Sequence, residues 1–382
     1  MLGICAATTL RAEPAAEGGG AVVTPERVRT HVEFLCQPEL AGRGDAAAKA
    51  KAAEYLCDFY RHHHLHPLFE GGSYVQDIPG TPRDDGTPTV IGRNIGAWLP
   101  GSDPDLRDEV IIVSAHYDHL GTHGGRMYPG ADDNASGVAM VLETARRLAL
   151  RGQAPRRSIA FINFDLEEHL LWGSRWFVAH APWPMEQIQL FVTADMLGRS
   201  LGNLPLKTVF VLGSEHAPTL RDTLAEIHPP ESVHLARLGA DLIGTRSDYG
   251  PFRDRKVPFL FFSTGEHPDY HTPQDTPDRI DYAKVAGVER VVEELCLRVG
   301  NTDNPPVWSK AAEPDMDEVR TLHFVSGHLL DAAQERKLTD VQRLLISNVR
   351  NRTGQIVTRG AITADERAWL IRQAQLLMLA VF

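Results

Sequence analysis

The run Ile111-Ile112-Val113-Ser114-Ala115-His116-Tyr117-Asp118, followed by Gly130-Ala131-Asp132-Asp133-Asn134-Ala135-Ser136-Gly137, decides the fold. An apolar run that ends in a histidine and a carboxylate reads as a buried strand. The glycine-bounded acidic loop after it opens an amphipathic helix. A strand, a ligand-bearing loop and a helix in that order form the unit of an open α/β sheet, which gathers its ligands beyond the carboxyl ends of its strands.

Working outward, continuous apolar runs stand at 110–113, 159–164, 190–192, 209–212 and 259–262, with helical segments at 137–150, 173–180, 217–227 and 281–299 between and after them. Strands that are apolar throughout are buried on both faces, so the pattern predicts a three-layer α/β fold: an open, largely parallel sheet with helices on both faces. Thr24-Pro25 opens a helix carrying Val28, Val32 and Leu35, which Pro38 ends, and Asp45 caps a second over 46–64 with Ala48, Ala52, Tyr55, Leu56 and Phe59 inward. That helix closes on His62, His63, His64 and His66, which read as a solvated end because consecutive helical residues point in different directions. Residues 73–99 read as short strands and turns. Beyond Pro305-Pro306 the pattern is helical, over about 315–333, 340–350 and 364–381, with capping-box spacing at Thr339/Gln342 and Thr363/Glu366. The last of these carries Leu370, Ile371, Leu376, Leu377, Met378, Leu379 and Val381 and must pack on the main domain or on another subunit.

Composition excludes several classes. The 382 residues carry a net charge of −11, leaving no basic surplus to neutralise phosphates, so nucleic acid is not an expected partner. No apolar run reaches the ~20 residues of a membrane span. The four cysteines, Cys5, Cys36, Cys57 and Cys296, show no C-x-x-C spacing; Cys36 and Cys57 read as buried thiols, with a bridge between them as the minority reading.

The chemistry-bearing side chains follow the strand runs: His116 and Asp118 after the first, Asp165, Glu167 and Glu168 after the second, Asp195 after the third, His271 after the last and its loop. With Asp132 and Asp133 they converge on one sheet edge. Imidazole and carboxylate donors suit zinc, and the absence of cysteine argues against a purely structural site. Two histidines and several carboxylates exceed the needs of one four-coordinate ion; two ions roughly 3.5–4 Å apart, sharing a bridging carboxylate, would use them all.

The segments Ser114-Ala115-His116-Tyr117-Asp118, Pro129-Gly130-Ala131-Asp132-Asp133-Asn134-Ala135-Ser136-Gly137, Leu166-Glu167-Glu168, Ala194-Asp195-Met196 and Tyr270-His271-Thr272-Pro273-Gln274-Asp275-Thr276 resemble the successive motifs of the co-catalytic zinc aminopeptidases of bacterial leucyl type. That peptidase family also includes glutaminyl cyclases and glutamate carboxypeptidase-like proteins. The resemblance implies that Asp133 bridges two divalent ions, most simply Zn2+, with His116 and Asp195 completing one site and Glu168 and His271 the other. It implies Glu167 as the general base and Asp118 as the group that orients His116. The implied activity is removal of N-terminal residues from peptides. A one-zinc glutaminyl cyclase, a carboxypeptidase or dipeptidase of the same fold and a non-enzymatic binding protein are the rival readings.

The expected organisation is a leader over 1–23, a signal remnant or a disordered arm; a zinc metallopeptidase domain over 24–303; and a helical extension over 304–382 that could be a lid, a brace or a homo-oligomer contact. A signal remnant would place the protein in the periplasm or outside the cell, and its absence in the cytoplasm. Around the centre, Asp132 is read either as the cap of the helix near Asn134 or as a metal contact, Asp165 as pointing away, Asp275 as a loop-fixing acceptor, and His119 and His123 as solvated loop residues, with a place for His123 in the cleft lining as the minority reading. The chain has Ser247-Asp248-Tyr249 where the family often shows Ser-Asp-His. A carbonyl-polarising tyrosine lacks a counterpart near Gly244, leaving Tyr249 or Tyr270 to substitute. Arg199 and Arg246 are expected on loops bordering the cleft, as clamps for a substrate carboxylate or as solvated residues.

Overall fold

The computed structural model describes residues 22–312 and 314–381, so the leader, with Cys5, lies outside the described residues up to position 21. Thr24 accepts from the Arg27 N–H and opens α1 (Pro25–Leu35); Asp45 accepts from the Ala47 and Ala48 N–H groups and opens α2 (Ala46–His62). Both caps satisfy donors that a helix start leaves unpaired. His62, His64 and His66 are exposed, as a solvated end requires.

Then follow β1 (His66–Pro67), β2 (Val75–Pro79), β3 (Val90–Leu99), β4 (Val110–His116), β5 (Gly121–His123), β6 (Arg126–Tyr128), α3 (Gly137–Ala149), β7 (Ser158–Phe164), α4 (Trp172–Ala179), β8 (Ile188–Ala194), β9 (Thr208–Leu212), α5 (Thr219–Glu226), β10 (His234–Leu238), α6 (Tyr249–Asp254), β11 (Phe259–Ser263) and α7 (Tyr282–Asn301). A nine-stranded sheet has the order β1-β3-β7-β4-β8-β11-β9-β10, with β2 also paired to β3. At its centre β7, β4, β8 and β11 are mutually parallel, so their carboxyl ends leave the same edge.

The flanks are where the sheet departs from a parallel one. β3 runs antiparallel to β7, and β9 runs antiparallel to β11 while pairing parallel with β10. The ten-residue β3 lies where only short strands were expected, because Gly92, Asn94 and Gly96 dilute its apolar signal. Along β4, Ile111, Val113 and Ala115 join a core shared with α1, α3 and α7, while Val110 and Ile112 join the opposite core with α4 and α6. This period of two produces the three layers.

The C-terminal segment forms α8 (Met316–Asp331), α9 (Asp340–Arg359) and α10 (Ala364–Val381). Both capping boxes form, at Thr339/Gln342 and Thr363/Glu366. α9 runs beyond the expected stop near 350 and ends at Gly360, whose φ of 76° is the left-handed cap that glycine adopts without strain. Val325 and Leu329 of α8, Ile346 and Val349 of α9 and Leu377 of α10 enter the second core beside Phe210, Leu212 and Phe261. The last helix therefore packs on its own chain through Leu370 and Leu377, and leaves Leu376 and Leu379 exposed. Buried Arg367 ties α10 to both neighbours, with paired bonds of 2.8 Å to Glu318 of α8 and of 2.8 and 2.9 Å to Asp241.

Cys36, Cys57 and Cys296 are free thiols, so the Cys36–Cys57 bridge does not form; burial pushes the Cys36 and Cys57 thiols up to about 11. Among the described residues no helix is long and apolar enough to cross a membrane.

Candidate metal centre

Each of the four parallel strands delivers a side chain to one place. β4 ends at His116; Glu167 and Glu168 follow β7, Asp195 follows β8 directly, and His271 follows β11 after a loop. The turn before α3 brings Asp133 between them. His116 Nε2 lies 3.3 Å from Asp133 Oδ1, 3.4 Å from Asp195 Oδ1 and 4.0 Å from Glu167 Oε2. His271 Nε2 lies 3.1 Å from Asp133 Oδ2 and 3.3 Å from Glu168 Oε2. Asp133 thus presents one oxygen to each histidine.

Backbone bonds hold these loops. Asp275 accepts from the Asp132 N–H at 2.9 Å and the Asp133 N–H at 3.0 Å, the loop-fixing role expected of it. Asp118 accepts from the Glu167 N–H at 3.1 Å and the Glu168 N–H at 3.4 Å. His116 Nδ1 faces the Asp118 carbonyl at 3.2 Å and its carboxylate at 3.6 Å, so Nδ1 donates there and Nε2 is the nitrogen turned to the centre. Gly130 sits at φ 59°, and a Cβ there would lie 2.2 Å from the Asp133 carbonyl oxygen and 2.5 Å from the His119 ring. Fully buried Arg43 donates to the carbonyls of Leu35, Tyr117, Pro129 and Gly130, clamping the loop after β4 to the loop that carries Asp133.

So many acids in a dry site disturb one another's protons. Burial raises the Glu167 carboxyl well above its usual range; His116 pulls it back, and Asp195, Asp248 and Glu168 push it up again. Burial works against a charged His116, yet Glu167 and Asp195 outweigh it and hold the imidazole well above its ordinary value. For Asp133 the burial penalty is overcome by His119, His116 and His271, and its carboxyl is held well below its ordinary value. The charge pattern is that of a site built to hold positive charge.

The donor set fits divalent cations on geometry as well. Bonds of about 2.0–2.1 Å from a tetrahedral ion to N and O ligands place those ligands about 3.4 Å apart. The histidine-to-carboxylate separations of 3.1–3.4 Å match that edge and exceed an ordinary charged hydrogen bond. Two groups of potential ligands can be drawn among the described residues: His116, Glu167 and Asp195; and His119, Asp133 and Glu168.

His119 is the main surprise. It was read as a solvated loop residue, yet it is 2% exposed, with Nδ1 2.8 Å from Glu168 Oε1 and 3.7 Å from Asp133 Oδ2. The loop at Gly130 packs on its ring, a long-range closure that no local pattern announces. Asp132 does not cap the helix: its Oδ1 accepts from the Gly198 N–H at 2.5 Å, and its Oδ2 faces His267 Nε2 at 3.4 Å. Asp165 points away, paired with Lys49 and the Arg93 N–H at 2.8 Å each, and His123 is exposed. Tyr249 is buried against Phe259 with its hydroxyl on the Gly244 carbonyl, so it does not substitute for the missing tyrosine. Tyr270 stacks on His271, 3.8 Å between centroids, and lines the cleft. Arg199 is locked by Asp269 at 2.7 Å and Asn203 at 2.9 Å and is no clamp, whereas Arg246 lines the cleft 3.6 Å from Glu266. Asp248 is buried beneath the centre without a hydrogen-bond partner.

The centre opens into a cavity of about 160 Å³ whose lining includes Asp133, Glu167 and Asp195. Compared with known proteins, residues 94–296 match the model of peptidase family M28. The chain is 30% identical over 181 residues to aminopeptidase YwaD of Bacillus subtilis, covering 45% of this chain and 37% of that protein, so it spans well under half the length of that relative. It superposes on a Zn-dependent exopeptidase from Parabacteroides distasonis with a TM-score of 0.57 and 18% identity, over 73% of this chain and 99% of that one. It also superposes on the glutaminyl cyclase of Porphyromonas gingivalis with a TM-score of 0.55 and 20% identity, over 72% and 98% of the two chains. At such identities the likeness is one of fold.

Proposed function

We propose that this chain, which belongs to peptidase family M28, is a metal-dependent aminopeptidase that removes the N-terminal residue of peptides. The observation that carries the reading is Asp133, whose two carboxylate oxygens each face a different histidine and its acidic partner. In this reading His116 and Asp195 hold one cation, Glu168 and His271 hold the other, and Asp133 is shared. Two divalent cations, zinc foremost, would polarise the scissile carbonyl and bring the pKa of a water from about 15.7 towards about 7.

The chain's own groups supply positioning and proton transfer. Glu167 lines the cleft with its carboxylate 4.0 Å from His116 Nε2, where it can take a proton from water and hand it to the leaving amine. Asp118 sets the tautomer of His116 and, through the Glu167 and Glu168 N–H groups, the direction of both acids. Tyr270, whose hydroxyl burial keeps neutral well above its ordinary range, is the donor placed to meet the carbonyl oxygen.

Arg246 favours a second reading, since a half-exposed guanidinium at the cleft can take a substrate's terminal carboxylate. The test is hydrolysis of free and N-acetylated dipeptides before and after chelation. Cleavage of the free-amine substrates alone, abolished by chelator, supports the aminopeptidase. Equal cleavage of the acetylated substrates would move the protein to the carboxypeptidase or dipeptidase reading, and cyclisation of N-terminal glutamine to acyl transfer.

A further inference from the structure

The cavity that begins at Asp133 and Glu167 does not end within the part of the chain that matches the family model. Its floor is one face of the sheet: Phe261 pairs across from Leu212 and Ser263 across from Phe210, so all four side chains point the same way. Its far wall comes from Val325 and Leu329 of α8 and Leu377 of α10, helices that lie beyond residue 296. We propose that α8 and α10 build the pocket for the side chain of the substrate's N-terminal residue and select long apolar side chains. This inference rests on the aminopeptidase reading.

Three observations argue for it. The wall residues are all apolar, so a charged side chain reaching them would shed its hydration and find no partner. Apart from Ser263 of the floor and the acids of the centre, the polar lining groups Arg246, Glu266 and Tyr270 sit on the loops leading to α6 and to His271. The wall is also fixed: Arg367, 6% exposed, bonds α10 to Glu318 of α8 and to Asp241, so the two helices hold one spacing and act as a measure of length.

The test uses the metal-loaded full chain and two substitutions of opposite sense on different helices, Val325→Phe to narrow the pocket and Leu377→Ala to widen it, so that neither variant's folding decides the result alone. Two quantities are read: kcat/KM on alanyl, leucyl and 2-aminooctanoyl anilides, and calorimetric binding of butylamine and octylamine. The wild type is expected to prefer the longer side chains and to gain affinity with amine length, up to about fourfold per methylene. Val325→Phe should lower the 2-aminooctanoyl to alanyl ratio at least tenfold and erase the length gain, while Leu377→Ala should raise that ratio. Scaling of all three substrates by one factor in both variants, or an unchanged length dependence of amine binding, would overturn the inference. Absence of turnover on every anilide, with a length gain that Val325→Phe still removes, would keep the pocket and overturn the aminopeptidase reading.

Discussion

At one end of the cavity stand Asp133, Glu167 and Asp195, each on a loop next to a strand end or helix start; at the other stand Val325, Leu329 and Leu377, on helices that reach the sheet only through tertiary packing. The first end is made by register. Parallel strands that stop at one edge deliver whatever follows them to one point, so the chemistry is coded locally and in order. The second end is made by burial, and any apolar residue of suitable size can serve there. A polar centre should accordingly fail abruptly when one atom is changed, and an apolar wall should respond by degrees.

The largest expected loss is at the shared carboxylate. Asp133→Asn should leave the fold intact by circular dichroism, bind at most one cation and show no measurable turnover; retention of two cations would break the contrast between the two ends. Glu167→Gln should keep both cations and lower kcat by about 10²–10⁴-fold with little change in KM, which steady-state kinetics will show.

The third prediction concerns the support behind the centre. Glu143 of α3 is fully buried and bonded to Arg27, His31 and Arg146, so Glu143→Gln should cost about 3 kcal/mol in chemical denaturation at neutral pH. Burial alone would raise its carboxyl, but His31 and Arg146 outweigh that and hold it well below its ordinary 4.5. A depressed acid contributes stability that is complete above 4.5 and is lost as pH falls towards its folded value. The wild type should therefore weaken below pH 4.5, and Glu143→Gln should show a flatter acid limb. The smallest effect is expected at Asp118→Asn, which should lower metal affinity by about 10–100-fold in a competition titration while leaving saturated turnover closer to wild type.

The same contrast explains what the sequence made legible. His116, Asp133, Glu167, Glu168, Asp195 and His271 were readable because each stands at a fixed distance from an apolar run or a glycine-bounded turn, and the structure brings all six together. Asp275 was readable because a carboxylate in a proline-rich turn has backbone N–H groups to satisfy. His119 and Arg43 were not, since their burial comes from a loop packing across from elsewhere in the chain; the glycines at 42, 44 and 130, which leave no room for a Cβ, were the one available signal of that close approach. β3 was diluted by its own glycines, and the antiparallel turn of β9 leaves no mark in a run that is apolar on both faces. The C-terminal helices could be predicted as helices, and their need to pack was evident. Which surface they cover depends on shape, which periodicity does not encode.

The measurement that tests the central claim most directly is the number of metal ions bound per chain, by elemental mass spectrometry on desalted protein, in the wild type and in Glu167→Gln. Two divalent cations per chain in both, removed by chelator together with wild-type turnover, is the predicted result. One cation per chain in a fully active wild type, or turnover that survives complete removal of metal, would contradict the account.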